Sequence, residues 1–195
     1  MICSDHITTG RCTFCSQGVW NGDGWDPEGN VIKHPTWCIR IFDCMSYFGH
    51  GITIGSEMSG GVEDVRIRDC NLANAMFGVE IKGAKKRGGY VHNVHMRDCT
   101  VVRVLMHAVG YNDDGIGAPV PPSFSGCTFG NMRILGKCLN HENTASEYPA
   151  IELEGFDMSG YEVEDITFKD CTVARNAEVK MHRCQHISIQ LDQLD

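Results

Sequence analysis

The chain has 195 residues, with 17 Lys and Arg against 25 Asp and Glu, and this length suits one domain, residues 1–195, with a sizeable core. Its 42% hydrophobic and 22% charged residues are ordinary globular values, which exclude wholesale disorder. The net charge of -8 argues against a nucleic-acid partner, and no stretch is long and apolar enough to span a membrane. The N-terminus shows no basic segment followed by an apolar run, so we predict a cytoplasmic location.

Cysteine usage indicates a reducing compartment. The 11 cysteines are an odd number in a chain without a secretion signal, which favours free, buried thiols. Cys12–Cys15 forms a lone CxxC, and a zinc or redox role would need a second pair or a suitable strand–helix context. The histidines show no metal-ligand spacing. We therefore predict no metal and no cofactor.

A short strand pattern that ends in cysteine recurs along the chain. It reads apolar–x–apolar–x–x–Cys, which is typical of a strand with one buried face followed by a turn. Its copies in chain order are Ile7–Cys12, Ile39–Cys44, Val65–Cys70, Val94–Cys99, Pro122–Cys127, Ile166–Cys171 and Val179–Cys184, of which the first, fifth and last are weaker. The first five of these cysteines are 32, 26, 29 and 28 residues apart, and a repeat of this length indicates a solenoid.

A second short strand follows the cysteine in each of the first four repeats. These second strands are Gly18–Gly22, Gly51–Gly55, Gly78–Lys82 and His107–Tyr111. Short strands, frequent Gly and no long helical period predict an all-β chain that forms a right-handed parallel β-helix of about six or seven coils. We expect five cysteines to stack inside it in reduced form: Cys12, Cys44, Cys70, Cys99 and Cys127. The rival fold, a β-sandwich, would need hairpin turns every ~8–12 residues.

Stacking would bring the ends of the second strands together, because equivalent residues on neighbouring coils lie about 4.8 Å apart. If these strands are in register, Lys82 and Tyr111 share one column, Asp23 belongs to the next, and His50 lies beside Phe77. One wall would then carry Asp23, His50, Lys82 and Tyr111. A groove along such a wall suits an extended polymer, because each coil can offer a subsite.

Several segments resemble a known family. Gly49–Val65 (GHGITIGSEMSGGVEDV) and Gly78–Val94 (GVEIKGAKKRGGYVHNV) resemble the polygalacturonases, glycoside hydrolase family 28. Asn21–Pro27 (NGDGWDP) resembles the N-x-D-G-x-D-P segment of that family, and Gly110–Pro122 resembles a loop of its bacterial exo-acting members. The resemblance covers nearly the whole chain and implies a right-handed parallel β-helix, in agreement with the repeats.

The resemblance also implies an activity, the hydrolysis of α-1,4-linked galacturonic acid with inversion, and therefore pectin oligosaccharides as partners. The first catalytic aspartate of the family maps to Asp23 and its histidine to His50. The Arg-x-Lys pair of the family maps to Glu80 and Lys82, so a carboxylate stands at the arginine position. The substrate-contacting tyrosine of the family maps to Tyr111.

One departure from the family bears on catalysis. The family carries its other two aspartates, including the proton donor, in a G-D-D segment on a coil before the G-H-G segment. Here Asp26-Pro27 runs directly into Glu28, and the only adjacent pair, Asp113-Asp114, belongs to a different segment downstream. The chain therefore resembles a shortened polygalacturonase that lacks N-terminal coils and the paired-aspartate coil.

A second carboxyl group must come from elsewhere, since inverting glycosidases use two, about 6.5–9.5 Å apart. Asp26, Glu57, Glu80 or a neighbouring subunit are the candidates. A turn-forming aspartate before proline is an equally good interpretation of Asp26. Glu57 and Glu80, as single exposed carboxylates, are more often solvated than functional.

A basic cluster and two aromatic residues complete the candidate site. Lys82 could pair with a galacturonate carboxylate. Lys85, Lys86 and Arg87 form the only dense basic cluster of this acidic chain, at the end of a groove strand, and they are further candidates for binding a ligand carboxylate. A charge run is more often a solvated face. Trp25 and Tyr111 could stack on sugar rings or serve in packing.

Three functions remain open: a pectin-directed hydrolase, an inactive galacturonide-binding relative, and a deletion product without sugar function. A general acid and a general base typically contribute ~10²–10⁴-fold each, so we expect weak activity with oligosaccharide binding retained. Met1 lies just before the first repeat, so no N-terminal cap is evident. Exposed strand edges there would favour a homo-oligomer.

Overall fold

The computed structural model describes residues 2–4, 7–14, 30–31, 33–46, 49–110, 118–139 and 145–194. The described strands, in chain order, are β1 (Ile2–Ser4), β2 (Ile7–Phe14), β3 (Ile39–Ser46), β4 (Gly51–Ile54), β5 (Val62–Arg68), β6 (Asn71–Leu72), β7 (Gly78–Ala84), β8 (Tyr90–Arg97), β9 (Thr100–Val101), β10 (Arg103–Val109), β11 (Ser123–Gly130), β12 (Arg133–Ile134), β13 (Lys137–Leu139), β14 (Ala145–Glu147), β15 (Ile151–Glu154), β16 (Val163–Val173), β17 (Val179–His182) and β18 (Cys184–Gln193). Residues 30–31 are the only helical ones among those described. This part of the chain is all-β, as predicted.

The strands form two large sheets, and the chain alternates between them. Sheet A has the order β1-β4-β7-β10-β15-β17, and sheet B contains β3, β5, β8, β11, β16 and β18. From β4 to β17 and from β3 to β18 these neighbours pair in parallel. Strands adjacent in space are thus one repeat apart in sequence, which gives a parallel β-helix-like solenoid.

Sheet B bends at the residue before the cysteine in each of the four stronger copies of the sequence frame. The aspartates at these bends have positive φ angles of 54 to 57°: Asp43, Asp69, Asp98 and Asp170. Aspartate adopts this left-handed conformation more readily than most residues, because its short side chain can bond locally. Beyond the bends the chain forms a second parallel run, β6-β9-β12, which joins the end of β16. The turn at the end of the sequence frame is therefore this bend.

The core lies between the sheets and is filled by alternating apolar side chains. Phe129 and Phe168 are buried and stack at a centroid distance of 4.7 Å. Cys44, Cys70 and Cys99 are buried, reduced thiols, and the Cys70 amide donates to the Cys99 sulfur at 3.3 Å. The predicted interior column of reduced cysteines is therefore correct for these three. The Cys12 side chain lies outside the described part of the chain.

The prediction that Cys127 lies inside and is reduced is confirmed, but the prediction that it stacks in this column is wrong. Cys127 is buried and free, but it pairs with Ile166, and β11 aligns Phe124–Gly130 with Val91–Arg97 of β8. Cys127 therefore stands level with Val94. By the same register, Met132 takes the place next to Cys99. The apolar frame fits either alignment, because both put an apolar residue in the core.

The last copy of the frame, Val179–Cys184, was also predicted in the wrong sheet. Val179–His182 is β17 of sheet A, whereas Cys184 begins β18 of sheet B. The segment therefore joins the two sheets rather than forming one strand. The strand Ile151–Glu154, which pairs with β17, has no counterpart among the predicted second strands.

The first copy, Ile7–Cys12, does not continue the parallel repeat. It lies in β2, which pairs antiparallel with β3, and β1 pairs antiparallel with β4. The edges of β3 and β4 are therefore covered by β1 and β2, and the outermost strands at this end are β1 and β2.

Candidate active site

Three strands of sheet A bring polar side chains to one place. Thr53 of β4 pairs with Glu80 of β7, and Lys82 of β7 pairs with His107 of β10. Residues two apart in a strand project from the same face, so Glu80 and Lys82 point to the same side of the sheet as these partners. His50 lies directly before β4.

Glu80 is the centre of this group, which we call the Glu80 cluster: His50, Thr53, Glu80, Lys82 and His107. One carboxylate oxygen accepts from His50 Nδ1 and from Thr53 Oγ1, each at 3.2 Å, and lies 3.3 Å from Lys82 Nζ. The other lies 2.9 Å from His107 Nε2. Only 2% of Glu80 is exposed, so it is a buried carboxylate with several donors. The interpretation of Glu80 as a solvated carboxylate is wrong.

The environment keeps Glu80 ionised. Burial opposes ionisation, but the hydrogen bond from His107, the charges of Lys82 and His107 and the hydrogen bond from His50 lower its pKa from 4.5 to about 2. Donors and cations favour the charged form, and here they outweigh desolvation. Glu80 therefore accepts hydrogen bonds at any ordinary pH, and it holds no proton that it could donate.

Two glycines set the position of His50. Gly49 and Gly51, on either side of it, have positive φ angles of 76° and 93°. A Cβ on Gly51 would lie 2.3 Å from the Gly78 carbonyl oxygen, so this approach of β4 to β7 needs glycine. The His50 ring contacts the Phe77 ring edge-to-face, with the ring centroids 4.9 Å apart. This confirms the prediction that the two residues lie side by side. The Gly-His-Gly segment therefore presents the imidazole to Glu80.

The predicted cations differ in their surroundings. Lys82 is buried, with 10% of its side chain exposed, and its charge already faces Glu80. Lys85 and Lys86 are exposed directly after β7, whereas Arg87 is 5% exposed. Lys85 and Lys86 are thus the accessible members of the predicted basic cluster.

Sequence reasoning missed His107 because it misplaced a strand. Aligning His107–Tyr111 with Gly78–Lys82 puts Lys82 next to Tyr111. The structure pairs Gly78 with Arg103 and Lys82 with His107, which is four residues away. The available signal was the continuous strand pattern of Arg103–Val109, whose apolar positions fix the register. The predicted wall therefore carries His107 where Tyr111 was expected.

The other predicted site residues are not part of the Glu80 cluster as the structure describes it. Asp23, Asp26 and Tyr111 lie outside the described residues, as does Trp25. Glu57 is half-buried on the segment that follows β4. Of the predicted wall, the structure thus brings together His50 and Lys82, with Glu80 between them.

A chain of rings and cations leads away from the cluster. Phe77, which contacts His50, lies under the Arg103 guanidinium at 5.9 Å, and the same guanidinium lies 5.2 Å from the Tyr148 ring. Tyr148 lines a polar cavity of about 630 Å³ together with Leu135, Gly136, Lys137, Glu147, Pro149, Ala174, Arg175, Asn176, Ala177, Glu178 and Lys180. The Glu80 cluster and this cavity are therefore connected by direct contacts.

Two further findings concern ligands and membranes. Within the described residues, one group could hold a metal ion: Glu164, Asp165 and His186, all exposed and with ligand atoms within 4.8 Å of one another. This group is on β16 and β18, far along the chain from the Glu80 cluster. A search of the described part of the chain finds no helix with the length and apolar character of a membrane span.

Comparisons with known proteins give matches to one family. Residues 30–111 match the sequence profile described as Glycosyl hydrolases family 28. A "Probable polygalacturonase" of Vitis vinifera is 44% identical over 70 residues, which are 35% of this chain and 14% of that protein. A "Polygalacturonase" of Ralstonia nicotianae is 30% identical over 111 residues, 45% of this chain and 21% of that protein. The matches thus cover a small part of these relatives' lengths.

A solved structure supports the fold. The hyperthermoactive exopolygalacturonase of Thermotoga maritima superposes with a TM-score of 0.67 at 23% identity, over 86% of this chain and 36% of that one. The matched segment of the family, residues 30–111, contains the whole Glu80 cluster. Through this segment the chain is similar to glycosyl hydrolases family 28.

Proposed function

We propose that this protein acts on the oligosaccharides of polygalacturonate and pectin, as a glycoside hydrolase-like protein of the polygalacturonase type. The observation that carries the proposal is the Glu80 cluster, a polar group on the outer face of sheet A within the segment that matches family 28. The relatives that match this segment are named polygalacturonases.

The described residues support ligand binding better than rapid hydrolysis. An inverting mechanism needs one carboxyl group that gives a proton and one that activates water. Because its pKa is about 2, Glu80 can serve only in the second role. The candidates for the proton donor are Asp23, Asp26, Glu57 or a group from a second subunit. We therefore propose weak activity, with binding retained.

Exposed cations suit the charged units of such a polymer. Lys85 and Lys86 are accessible next to β7, and the cavity at Tyr148 has Lys137 and Arg175 in its lining. Cationic side chains at two places along the solenoid fit an extended ligand that carries several carboxylates. Two alternatives compete with this proposal. An inactive galacturonide-binding protein would bind without turnover, and a deletion product would show neither binding nor turnover.

Finer features of the fold belong to the same proposal. We propose a right-handed β-helix of about six or seven coils, because parallel crossovers are right-handed in nearly all known cases. We also propose a homo-oligomer through an uncapped solenoid end. The predicted N-terminal end carries β1 and β2, so association is expected at the other end of sheet A, where Val179 and Met181 of β17 are exposed. Light scattering at micromolar concentration tests this point. The cytoplasmic location stays a prediction.

Two assays on the same protein test the proposal. Reducing-sugar release from polygalacturonate measures turnover, and calorimetry with digalacturonate measures binding. We expect measurable binding with slow sugar release. The variants Asp23→Asn and Asp26→Asn, made separately, would show which carboxylate the remaining turnover needs. Release as fast as that of an intact polygalacturonase contradicts the impairment, and the absence of both signals contradicts a sugar function.

A further inference from the structure

In the Glu80 cluster, the positive charge of Lys82 is balanced by the negative charge of Glu80. Lys82 Nζ lies 3.3 Å from Glu80, and the two side chains are only 10% and 3% exposed. A ligand carboxylate at this place would compete with Glu80 for Lys82 and stand beside a buried negative charge. Like charges repel strongly where water is largely excluded. The electrostatics of the pair therefore disfavour an anionic ligand group.

The two imidazoles add a hydrogen-bonding preference. Because Glu80 is ionised and accepts only, His50 donates from Nδ1 and His107 donates from Nε2. In the neutral form of each ring one nitrogen donates and the other accepts, so in that form Nε2 of His50 and Nδ1 of His107 are acceptors. These acceptors suit the ring hydroxyls of a sugar unit, which have a hydrogen to give. Neither an ester nor a carboxylate has one, so the preference at C6 comes from the buried charge of Glu80 beside Lys82.

These imidazoles are also the accessible part of the cluster. The His50 side chain is 40% exposed and that of His107 is 25% exposed, whereas Glu80 and Lys82 are covered. A ligand therefore meets two hydrogen-bond acceptors, one on each side of a charge-balanced pair. Glu80 fixes both rings at once, since each of its oxygens holds one of them.

We propose that the Glu80 cluster is a specificity site that binds an uncharged sugar unit, with an alcohol or an ester at C6, in preference to a free uronate. The inference rests on the proposed function and states which units of a pectin-like ligand occupy this place. Free uronates elsewhere along the same ligand would meet exposed cations such as Lys85 and Lys86. In a partly esterified pectin, the esterified unit would lie at the cluster.

Calorimetry on the unmodified protein tests this with three ligands. The ligands are trigalacturonate, its fully methyl-esterified form and an α-1,4-linked galactotriose. We expect the ester to bind about tenfold more tightly than the free acid, since juxtaposed like charges weaken binding. Galactotriose that binds like the ester indicates that an alcohol is accepted, and galactotriose that binds more weakly indicates selection of the ester. Both results support an uncharged C6 group.

Two matched variants assign the preference to Glu80. Glu80→Gln removes the charge at similar size, and the ratio of ester to acid affinity should fall towards one. Glu63→Gln is the control, because Glu63 also bonds a histidine, His92 at 2.9 Å, but lies on sheet B. The control should keep the ratio of the unmodified protein. If Glu80→Gln does not fold, as judged by circular dichroism, the three ligands on the unmodified protein decide alone.

The outcomes separate this inference from the function on which it rests. Equal or tighter binding of the free acid by the unmodified protein overturns the inference and leaves the proposed function standing. A folded Glu80→Gln variant that keeps the full preference overturns the role of Glu80. Binding of none of the three ligands overturns the proposed function and, with it, this inference.

Discussion

The cysteine column of sheet B and the Glu80 cluster of sheet A are built in the same way but serve different ends. Each is a set of side chains stacked across successive coils. In the column the same residue recurs, as Cys44, Cys70 and Cys99, and every member is buried and apolar in character. In the cluster every coil contributes a different polar group, and the contacts run to the single carboxylate of Glu80. Repetition marks the residues that stabilise the solenoid, and its interruption marks the candidate site.

The largest effect is expected from the core beside the cysteine column. Phe168→Ala should lower the free energy of unfolding by about 3–5 kcal/mol, because a fully buried ring that stacks on Phe129 is replaced by a cavity. Urea unfolding followed by circular dichroism measures this. Phe42→Ala is the control, since Phe42 is only half-buried and its ring faces the Arg68 guanidinium at 5.0 Å. Equal losses in the two variants would contradict the described core.

The next effect tests the cluster through acid unfolding. The pKa of Glu80 is lowered from 4.5 to about 2, so its ionisation stabilises the fold above pH 4.5, and this contribution is lost as the pH falls towards 2. A shift of this size corresponds to a contribution on the order of 3 kcal/mol. Glu80→Gln should remove this part of the pH dependence and flatten the acid limb of the stability curve.

The control for the acid limb is again Glu63→Gln, whose carboxylate is a third exposed. It should leave the steep loss of stability between pH 4.5 and 2 in place. An acid limb that stays unchanged in Glu80→Gln would show that the cluster does not stabilise the charged carboxylate.

The column was predictable from the sequence to a large extent, and the cluster was not. The frame ending in cysteine places Ile39–Cys44, Val65–Cys70 and Val94–Cys99 in one sheet, because a period of two with one apolar face leaves little choice of register. Cys127 shows the limit, since an apolar residue satisfies the core at either of two alignments. In the register of β11 with β8, the bend equivalent to Asp98 falls at Asn131, which has a φ of 48°, and not at the residue before Cys127.

The cluster escaped prediction because its residues do not repeat. His50 and Lys82 share a wall, as predicted, but the sequence alone favours a solvated Glu80 and places His107 four residues out of register. Polar residues on the outer face obey no packing pattern that would correct such a shift. Their partners follow only from the pairing of β7 with β10, which the apolar residues Val104 and Met106 determine from the other face.

A smaller effect separates the column from its neighbours. Cys99→Ala should cost about 1 kcal/mol, the order expected for a buried group of this size, whereas Cys184→Ala should cost less because Cys184 is only partly buried. Thermal unfolding of both variants measures the difference.

Thiol reactivity gives a second readout, since burial raises the pKa of Cys127 to about 12 and should keep it unlabelled in the folded protein. Rapid labelling of every thiol under native conditions would contradict this packing.

The smallest effect concerns a second carboxylate–imidazole pair, which sharpens the comparison from outside both regions. On sheet B, Glu63 lies 2.9 Å from His92 Nε2 and 3.3 Å from the Tyr90 hydroxyl, and the two rings stack at 4.8 Å. The contacts resemble those of Glu80, but a third of the Glu63 side chain and 43% of that of His92 are exposed. Exposed ion pairs contribute little, so Glu63→Gln should change the free energy of unfolding by no more than about 0.5 kcal/mol, and salt should reduce even that. A loss as large as that of Glu80→Gln would show that burial is not what distinguishes the cluster.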